Sequence, residues 1–218
     1  MILAAGRGER MRPLTDATPK PLLEVRGMPL IERHVRALAG AGIRTITVNL
    51  AWLGADIRRH LGDGSRFGVE IRYSDEAPRA LETAGGIVRA LPTLVPGPFA
   101  VVNADVFSDY PFDRLGIAAE TDAHLVLVPN PPQHPHGDFG IDGTHAIADA
   151  PRRFTFAGIA VYRAALFAGF TDGVRALRPV LVEAMTAKRC TAEIYRGIWE
   201  DVGTPERLRA LNSGDRLQ

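Results

Sequence analysis

The chain has 218 residues, with 26 Lys and Arg against 25 Asp and Glu, so its formal net charge is only +1. This length allows one domain with a substantial core, and the balanced charge offers no general attraction to nucleic acid or to a membrane surface. The single cysteine, Cys190, excludes an internal disulfide framework, and the apolar run over residues 1–5 is too short for the core of a signal peptide. We therefore expect one soluble, cytoplasmic domain over residues 1–218, with no nucleic acid or membrane partner.

Six apolar runs predict short strands. Most of them are apolar on both faces, as parallel strands are when helices cover both sides of a sheet. In chain order the runs are MILAA at 1–5, TITVNL at 45–50, VEIRYS at 69–74, FAVVNADV at 99–106, AHLVLVP at 123–129 and FTFAGIAVY at 154–162.

Amphipathic patterns between and after these runs predict helices. The first, PLIERHVRALAGAG, begins at Pro29 and carries an apolar stripe that includes His34, which we expect to be a buried histidine and not a metal ligand. Similar patterns follow over residues 53–64, 83–94, 178–189 and 205–213. Strands and helices that alternate at short intervals predict an α/β protein, a three-layer sandwich around a mostly parallel sheet.

Residues 129–151 have a different composition, rich in Pro, Gly and His. The sequence DFGIDGTHAIAD within them predicts a small β-hairpin that turns at Asp142 and Gly143. We interpret the segment as an insertion over the edge of the sheet, and not as a linker between two domains.

The sequence GRGERMRPLT, which follows the first predicted strand, is rich in glycine and arginine. It begins at the carboxyl end of that strand, where open α/β sheets bind their ligands. Gly6 and Gly8 allow backbone amides to approach a phosphate, while Arg7, Arg10, Arg12 and Lys20 supply positive charge. The loop matches neither the P-loop pattern GxxxxGK[ST] nor the dinucleotide pattern GxGxxG. Alone, it is also compatible with a solvated turn.

Carboxylates follow two later segments. Asp105 ends the run FAVVNADV, and Glu200 and Asp201 precede a Gly-Thr turn in WEDVGT. Mg²⁺ usually takes one or two carboxylates together with substrate phosphates, so we predict Asp105 and Asp201 as a metal-binding pair. A turn or helix cap is the alternative role for Asp105.

A third motif, LETAGGIV, predicts a helix entrance after a strand. Thr83, Gly85 and Gly86 leave room for a planar base against the backbone. The alternative, which these residues taken alone favour, is a capped helix N-terminus that packs closely on the sheet.

Together these motifs resemble those of the sugar-1-phosphate nucleotidyltransferases. LAAGRGERMRPLT and TPKPLLEV match the family's opening pattern LAAGxGxRxxPLT with its PKPLLxV segment, and ETAGGI, NADV and WEDVGT extend the resemblance over essentially the whole chain. NADV stands where the family usually has GD-D or GD-V. The resemblance implies a Rossmann-like, GT-A-like fold and the transfer of a nucleotidyl group from a nucleoside triphosphate to a sugar 1-phosphate.

Within the family the chain is similar to the members that use UTP and N-acetylmuramic acid 1-phosphate in bacterial peptidoglycan recycling. WLGADIRRHLGDGSRFGVEIRYS, NPPQHPHGDFG and FTFAGIAVY carry this likeness. The Glu-Lys-Pro segment of glucose-1-phosphate enzymes is absent from HAIADAPRRFTFAG, which implies a different sugar contact. The alternatives are a mannose-1-phosphate guanylyltransferase and a catalytically silent nucleotide-sugar sensor.

The resemblance also implies roles for single residues and a partner set of UTP and a sugar 1-phosphate. Arg10, Lys20 and Asp105 are expected to be catalytic, with Mg²⁺ held by Asp105 and Asp201. The nucleotide is expected against Leu3, Ala4, Ala5, Gly6, Arg7, Gly8, Glu9, Arg10, Thr83, Gly85, Gly86 and Asn103. The sugar is expected against Gly137, Asp138, Thr155, Gly158 and Glu200. A monomer or small homo-oligomer is expected.

Overall fold

The computed structural model describes residues 1–76 and 80–214. Residues 77–79 and 215–218 of the predicted domain lie outside the described residues. Within the described ranges, no helix is both long and apolar enough to cross a membrane.

Strands and α-helices alternate along most of the chain. The strands are β1 (Ile2–Leu3), β2 (Glu24–Val25), β3 (Met28–Pro29), β4 (Thr45–Leu50), β5 (Glu70–Asp75), β6 (Phe99–Asn103), β7 (Val106–Ser108), β8 (Ala123–Val128), β9 (Gly140–Asp142), β10 (His145–Ile147), β11 (Thr155–Tyr162), β12 (Cys190–Ile194) and β13 (Trp199–Asp201). The α-helices are α1 (Leu14–Ala17), α2 (Leu30–Gly40), α3 (Gly54–Leu61), α4 (Glu82–Ala90), α5 (Leu177–Thr186) and α6 (Pro205–Ser213).

A nine-stranded mixed sheet forms the centre of the described structure, in the order β5-β4-β1-β6-β11-β8-β12-β10-β9. Strands β5, β4, β1 and β6 are parallel neighbours, whereas β11 and β10 run opposite to the other seven strands. The carboxyl ends of β4, β1 and β6 therefore meet at one edge of the sheet, where α/β folds bind ligands.

Alternate residues of the central strands enter two separate cores, which explains why the strand sequences are apolar on both faces. Val101 and Leu125 belong to one core with residues of α4 and α5, while Val102 and Val126 belong to the other with residues of α2 and α3. Helices thus cover both faces of the sheet. The predicted three-layer α/β sandwich is confirmed.

Local signals set the helix boundaries. Helix α2 buries the stripe that includes His34, and α6 begins at Pro205 after Thr204, whose side chain accepts a hydrogen bond from the backbone N–H of Arg207 at 3.4 Å. A hydroxyl N-cap followed by proline is a strong helix start because it satisfies a free amide and fixes the first φ angle.

The strands differ from the sequence prediction at several points. Strand β1 ends at Leu3 and not at residue 5, because the N–H of Ala4 donates to the side chain of Asn49 at 2.7 Å and not to a backbone carbonyl of a neighbouring strand. The run at 99–106 is divided into β6 and β7, which belong to different sheets. Strand β12 was not predicted, because its sequence CTAEI mixes apolar and polar residues.

The predicted hairpin is present, but it does not cover the edge of the sheet. Its strands β9 and β10 continue the central sheet through the pairing of His145 with Thr191, so they form its last two strands. The turn also differs by one residue, since Asp142 pairs with His145 and leaves Gly143 and Thr144 at the tip.

A separate two-stranded ribbon joins the middle of the chain to its C-terminal part. Strands β7 and β13 pair antiparallel, with Trp199 opposite Ser108 and Asp201 opposite Val106. A small apolar cluster, which includes Phe107 of β7 and Val202, lies beneath this ribbon and beside α6. The ribbon brings WEDVGT next to the strand end that carries NADV.

Candidate active site

Three adjoining clefts lie around the carboxyl ends of β1, β4 and β6. The first cleft has a volume of about 260 Å³. It is lined by Leu3, Ala4, Ala5, Gly6, Lys20, Pro21, Asn49, Glu76, Ala80, Glu82, Thr83, Asn103, Ala104 and Asp105. It thus gathers six residues that the sequence assigned to the nucleotide, together with two that it assigned to catalysis.

A buried polar chain forms one wall of the first cleft. Asn49 accepts the N–H of Ala4 and donates to Glu76 Oε1 at 2.5 Å, and Glu76 Oε2 accepts the N–H of Leu81 at 2.7 Å. Glu76 is only 1% exposed. These bonds join the end of β1 to the entrance of α4, and because buried polar groups require partners, they fix both segments.

The sequence analysis missed Asn49 and Glu76. The available signal for Asn49 was a polar residue near the end of the apolar run TITVNL. Glu76 carried no comparable signal, because its role depends on a partner 27 residues away.

Gly85 and Gly86 have packing roles in the structure. A Cβ atom on Gly86 would lie 2.3 Å from Glu76 Oε1, and one on Gly85 would lie 2.2 Å from the carbonyl oxygen of Gly173. Neither glycine is among the residues that line the first cleft in the described structure, whereas Thr83 is. The contribution of the two glycines to nucleotide binding stays a prediction.

The glycine-rich loop after β1 is held by local contacts. Gly8 has φ +70°, and a Cβ there would lie 3.0 Å from the Thr15 side chain. The guanidinium carbon of Arg7 stacks 3.6 Å from the centre of the Trp52 ring, and Arg7 also donates to the Thr15 carbonyl at 2.9 Å. The contacts of Arg7 therefore stabilise the conformation of the loop. Glu9 lies on the same loop and is exposed.

Lys20 and Asp105 form an ion pair at the mouth of the first cleft. Lys20 is 8% exposed, and its Nζ donates to Asp105 Oδ2. Asp105 lies in the turn between β6 and β7. Both side chains line the first cleft. The contact between these distant parts of the chain holds the positive charge of Lys20 beside the loop after β1.

The imidazole of His34 contacts the backbone next to the same turn. Its Nε2 lies 2.8 Å from the carbonyl oxygen of Val106, and burial lowers the pKa of the imidazole to about 4. The ring is therefore neutral at pH 7 and donates to that carbonyl, as expected for a core histidine.

The second cleft, of about 310 Å³, adjoins the first at Asn103 and Asp105. Its lining residues are Arg10, Asn103, Asp105, Val106, Pro131, Gln133, His134, Thr155, Phe156, Ala157, Gly158, Trp199 and Asp201. It brings together Arg10, both predicted metal ligands and two of the predicted sugar contacts. Gln133, His134 and Trp199 were not among the predicted site residues.

The β7–β13 ribbon places the two carboxylates on the second cleft. Asp201 pairs with Val106, the neighbour of Asp105, and the N–H of Val202 donates to the Asp105 carbonyl at 2.9 Å. The Asp201 carboxylate accepts a hydrogen bond from Gln133 Nε2 at 2.9 Å and also forms an ion pair with Arg207. Each carboxylate thus faces a cation.

Two carboxylates on one cleft suit a hard cation such as Mg²⁺, whose remaining ligands are usually phosphate oxygens and water. Residues 1–76 and 80–214 contain no group of three or more His, Cys, Asp or Glu side chains arranged to hold a metal. The donor set therefore fits a metal that arrives with a phosphate substrate better than one held by the protein alone.

The third cleft, of about 430 Å³, opens beside the other two. It is lined by Glu82, Thr83, Asn103, Asp138, Phe139, Phe156, Ala176, Leu177, Arg178 and Leu181. Asn103 lines all three clefts, and Phe156 separates the second from the third. Asp138 is the predicted sugar contact found here.

Of the two glycines predicted to contact the sugar, Gly158 lines the second cleft, whereas Gly137 is not among the lining residues of the three clefts in the described structure. Gly137 has φ +60°, and a Cβ there would lie 2.6 Å from Asn130 Oδ1. A Cβ on Gly158, which has φ +69°, would lie 2.5 Å from the Asn103 amide nitrogen. Gly137 lets its loop turn before Asp138, whose carboxylate accepts the N–H of Phe156 at 2.8 Å.

Glu200 occupies a different position from its neighbours Trp199 and Asp201. Side chains alternate along a strand, and Glu200 is not among the residues that line the three clefts of the described structure. Burial and the adjacent Asp201 carboxylate raise the pKa of Glu200 above its usual value. Its predicted contact with the sugar stays a prediction.

The sequence profile of the nucleotidyl transferase family matches residues 1–148. The chain therefore belongs to this family.

Two curated relatives are similar along nearly their whole lengths. An N-acetylmuramate alpha-1-phosphate uridylyltransferase of Neisseria meningitidis serogroup B is 48% identical over 218 residues, covering 96% of this chain and 94% of that protein. A protein of the same name from Caulobacter vibrioides is 32% identical over 232 residues, covering 98% and 95%.

A solved structure has the same fold. A crystal structure from Bacillus anthracis, described as that of a glucose-1-phosphate thymidylyltransferase, superposes with a TM-score of 0.85 at 21% identity, covering 100% of this chain and 94% of that one. The chain is thus a nucleotidyltransferase with a Rossmann-like fold.

Proposed function

We propose that this protein transfers UMP from UTP to N-acetylmuramic acid 1-phosphate and forms UDP-N-acetylmuramic acid and pyrophosphate. The observation that carries the proposal is the convergence of Arg10, Lys20, Asp105 and Asp201 on adjoining clefts at one sheet edge. The relatives from Neisseria meningitidis and Caulobacter vibrioides, which match 96% and 98% of this chain, carry the name of this activity. The product is a cell-wall precursor, so we also propose a role in peptidoglycan recycling.

The reaction is a direct displacement at phosphorus. An oxygen of the sugar phosphate attacks the α-phosphorus of UTP, a new P–O bond forms, and the bond to the β-phosphate oxygen breaks with its electron pair leaving on pyrophosphate. The nucleophile is already an anion, so no side chain has to remove a proton. Catalysis then rests on alignment of the two substrates and on neutralisation of phosphate charge.

The residues of the clefts divide these tasks. The backbone of residues 6–8 and Arg10 hold the triphosphate, and Lys20 balances the charge that develops on the reacting phosphates. The uracil lies in the first cleft against Ala4, Ala5 and Thr83, and the sugar lies on Asn103 and Phe156.

We propose that Asp105 and Asp201 hold Mg²⁺ together with the substrate phosphates. When bound, the ion neutralises negative charge on the phosphates and polarises the phosphorus that is attacked. Lys20 forms an ion pair with Asp105, and Arg207 forms one with Asp201.

The remaining expectations are also proposals. We propose that residues 1–218 form a single domain, with residues 129–151 as an insertion over the sugar site. We also propose that the protein is a monomer or small homo-oligomer and that it works in the cytoplasm. A chain with a single cysteine does not depend on internal disulfides, which fits the reducing conditions of the cytoplasm.

A pyrophosphate-release screen tests the function. UTP, GTP, dTTP and CTP are each combined with the 1-phosphates of N-acetylmuramic acid, N-acetylglucosamine, glucose and mannose in the presence of Mg²⁺. We expect the highest kcat/KM for UTP with N-acetylmuramic acid 1-phosphate. Preference for GTP with mannose 1-phosphate would instead support the guanylyltransferase alternative, and no release from any pair would support the silent sensor.

A further inference from the structure

Arg178 is the one lysine or arginine among the described residues that line the third cleft. It lies in the first turn of α5 and is exposed. Its guanidinium carbon is 4.9 Å from the centre of the Phe139 ring, and its Nη1 donates to the carbonyl oxygen of Asp138 at 3.3 Å. Within residues 1–76 and 80–214 this guanidinium has no carboxylate within ion-pair distance.

The two acidic side chains of the third cleft do not neutralise Arg178. The Asp138 carboxylate accepts the N–H of Phe156 at 2.8 Å and lies 3.2 Å from His134 Nε2. Glu82 belongs to the side of the cleft that is shared with the first cleft. The Arg178 end is therefore the part of this cleft that favours an anion.

The third cleft adjoins the second cleft, where we propose that the phosphates bind. Asn103 and Phe156 form the wall shared by the second and third clefts. A hexose that lies on this wall, with its 1-phosphate toward Asp105, directs the substituent of its C3 atom away from the phosphate. Because the second and third clefts share this wall, the third cleft adjoins the place that we propose for the sugar.

We propose that Arg178 binds the carboxylate of the lactyl ether at C3 of N-acetylmuramic acid 1-phosphate. This inference rests on the function proposed above and names the residue that selects this sugar. N-acetylglucosamine 1-phosphate has the same ring and acetamido group but a hydroxyl at C3, so it offers no anion to Arg178. A guanidinium presents parallel N–H donors that match a carboxylate, and its stacking on Phe139 orients it in advance.

The test compares the wild type with R178Q and R178K. The glutamine removes the charge at similar length, and the lysine keeps the charge but loses the planar pair of donors. R152Q is the matched control, because Arg152 is also exposed, also lies over an aromatic ring, at 5.1 Å from Phe154, and lies outside the lining of the three clefts.

Steady-state kinetics with saturating UTP and Mg²⁺ are measured for three acceptors: N-acetylmuramic acid 1-phosphate, its lactyl carboxamide and N-acetylglucosamine 1-phosphate. For R178Q we expect kcat/KM with the first acceptor to fall roughly ten- to hundredfold, mainly through KM, as for loss of a charge-assisted hydrogen bond. The two neutral acceptors should change less than about twofold, R178K should be intermediate, and R152Q should match the wild type.

Binding of the products provides a second measurement that does not require turnover. Calorimetry should show weaker binding of UDP-N-acetylmuramic acid to R178Q and unchanged binding of UDP-N-acetylglucosamine. Equal losses for charged and neutral acceptors, or no loss for either, would overturn the role of Arg178 while leaving the proposed function in place. A wild-type protein that forms no nucleotide sugar with N-acetylmuramic acid 1-phosphate would overturn both.

Discussion

Lys20 and Asp105, which are 85 residues apart in the sequence, form an ion pair at the mouth of the first cleft. Lys20 follows the glycine-rich loop, and Asp105 follows a central strand, so the pair joins the two segments that we propose to bind the substrate phosphates. Because Lys20 is almost buried, its ammonium group acts from a fixed position. A fixed charge stabilises a transition state without the cost of reorganisation.

The first prediction concerns this ammonium group. We expect K20A to lower kcat/KM by about 100-fold, because a charge contact that strengthens in the transition state has been removed. K188A is the control, since Lys188 is exposed and lies outside the lining of the described clefts. Steady-state kinetics and thermal unfolding of both variants check the result. A K20A protein that is folded and has the wild-type kcat/KM would refute the role of Lys20.

The second prediction concerns the carboxylate of the pair. We expect D105N to lose at least about 100-fold in kcat, and added Mg²⁺ should not restore it, because an amide is a weaker ligand for a hard cation. Titration with Mn²⁺ in the presence of UTP, followed by electron paramagnetic resonance, should show weaker metal binding. D172N is the control, since Asp172 is exposed and pairs with Arg89. Wild-type turnover and metal affinity in D105N would contradict the assignment.

The third prediction concerns the close packing at the entrance of α4. We expect G86A to lower the free energy of unfolding by about 1–3 kcal/mol, because the added methyl group would overlap the buried Glu76 carboxylate. G40A should instead be neutral or stabilising by up to about 1 kcal/mol, since a Cβ at Gly40 meets nothing within 4 Å. Urea unfolding curves measure both changes. Equal stability of the two variants would mean that the Gly86 contact is not strained.

The fourth prediction concerns Cys190. Burial raises the pKa of its thiol to about 12, so only about 10⁻⁴ of it is thiolate at pH 8. Because this folded-state pKa lies above the ordinary value of 9.0, the unfolded thiol ionises first and this group makes the fold less stable as the pH rises above 9. A maleimide should therefore label native Cys190 at least about 100-fold more slowly than the urea-unfolded chain.

The control for this labelling is a C190A variant that carries V95C, because Val95 is 47% exposed. Its thiol should react rapidly in the native protein. Rapid labelling of native Cys190 would contradict the burial of the thiol.

The sequence predicted the sheet, the helices and the loop after β1 because these depend on local patterns. Apolar runs on both faces identify strands such as β4 and β8. The hydroxyl of Thr204 followed by Pro205 identifies the start of α6. Glycine and arginine next to a strand end identify the loop that we propose to bind the triphosphate. Each of these signals lies within about a dozen residues.

The contacts that complete the site depend on distant partners and were not predicted. Glu76 is recognised only through Asn49 and the N–H of Leu81. The β7–β13 ribbon brings Asp201 beside Asp105 through a strand pairing across almost 100 residues, and WED alone is too short and too polar to indicate a strand. Arg178 is one arginine among many in the sequence, and only the third cleft distinguishes it.

The most direct test of the central claim is the identity of the product. The protein is incubated with Mg²⁺, N-acetylmuramic acid 1-phosphate and UTP labelled at the α-phosphate, and the products are separated by chromatography and identified by mass spectrometry. We predict UDP-N-acetylmuramic acid that retains the label, with one pyrophosphate released for each molecule formed. Labelled UMP or UDP without any nucleotide sugar, or unchanged UTP, would contradict the proposed transfer.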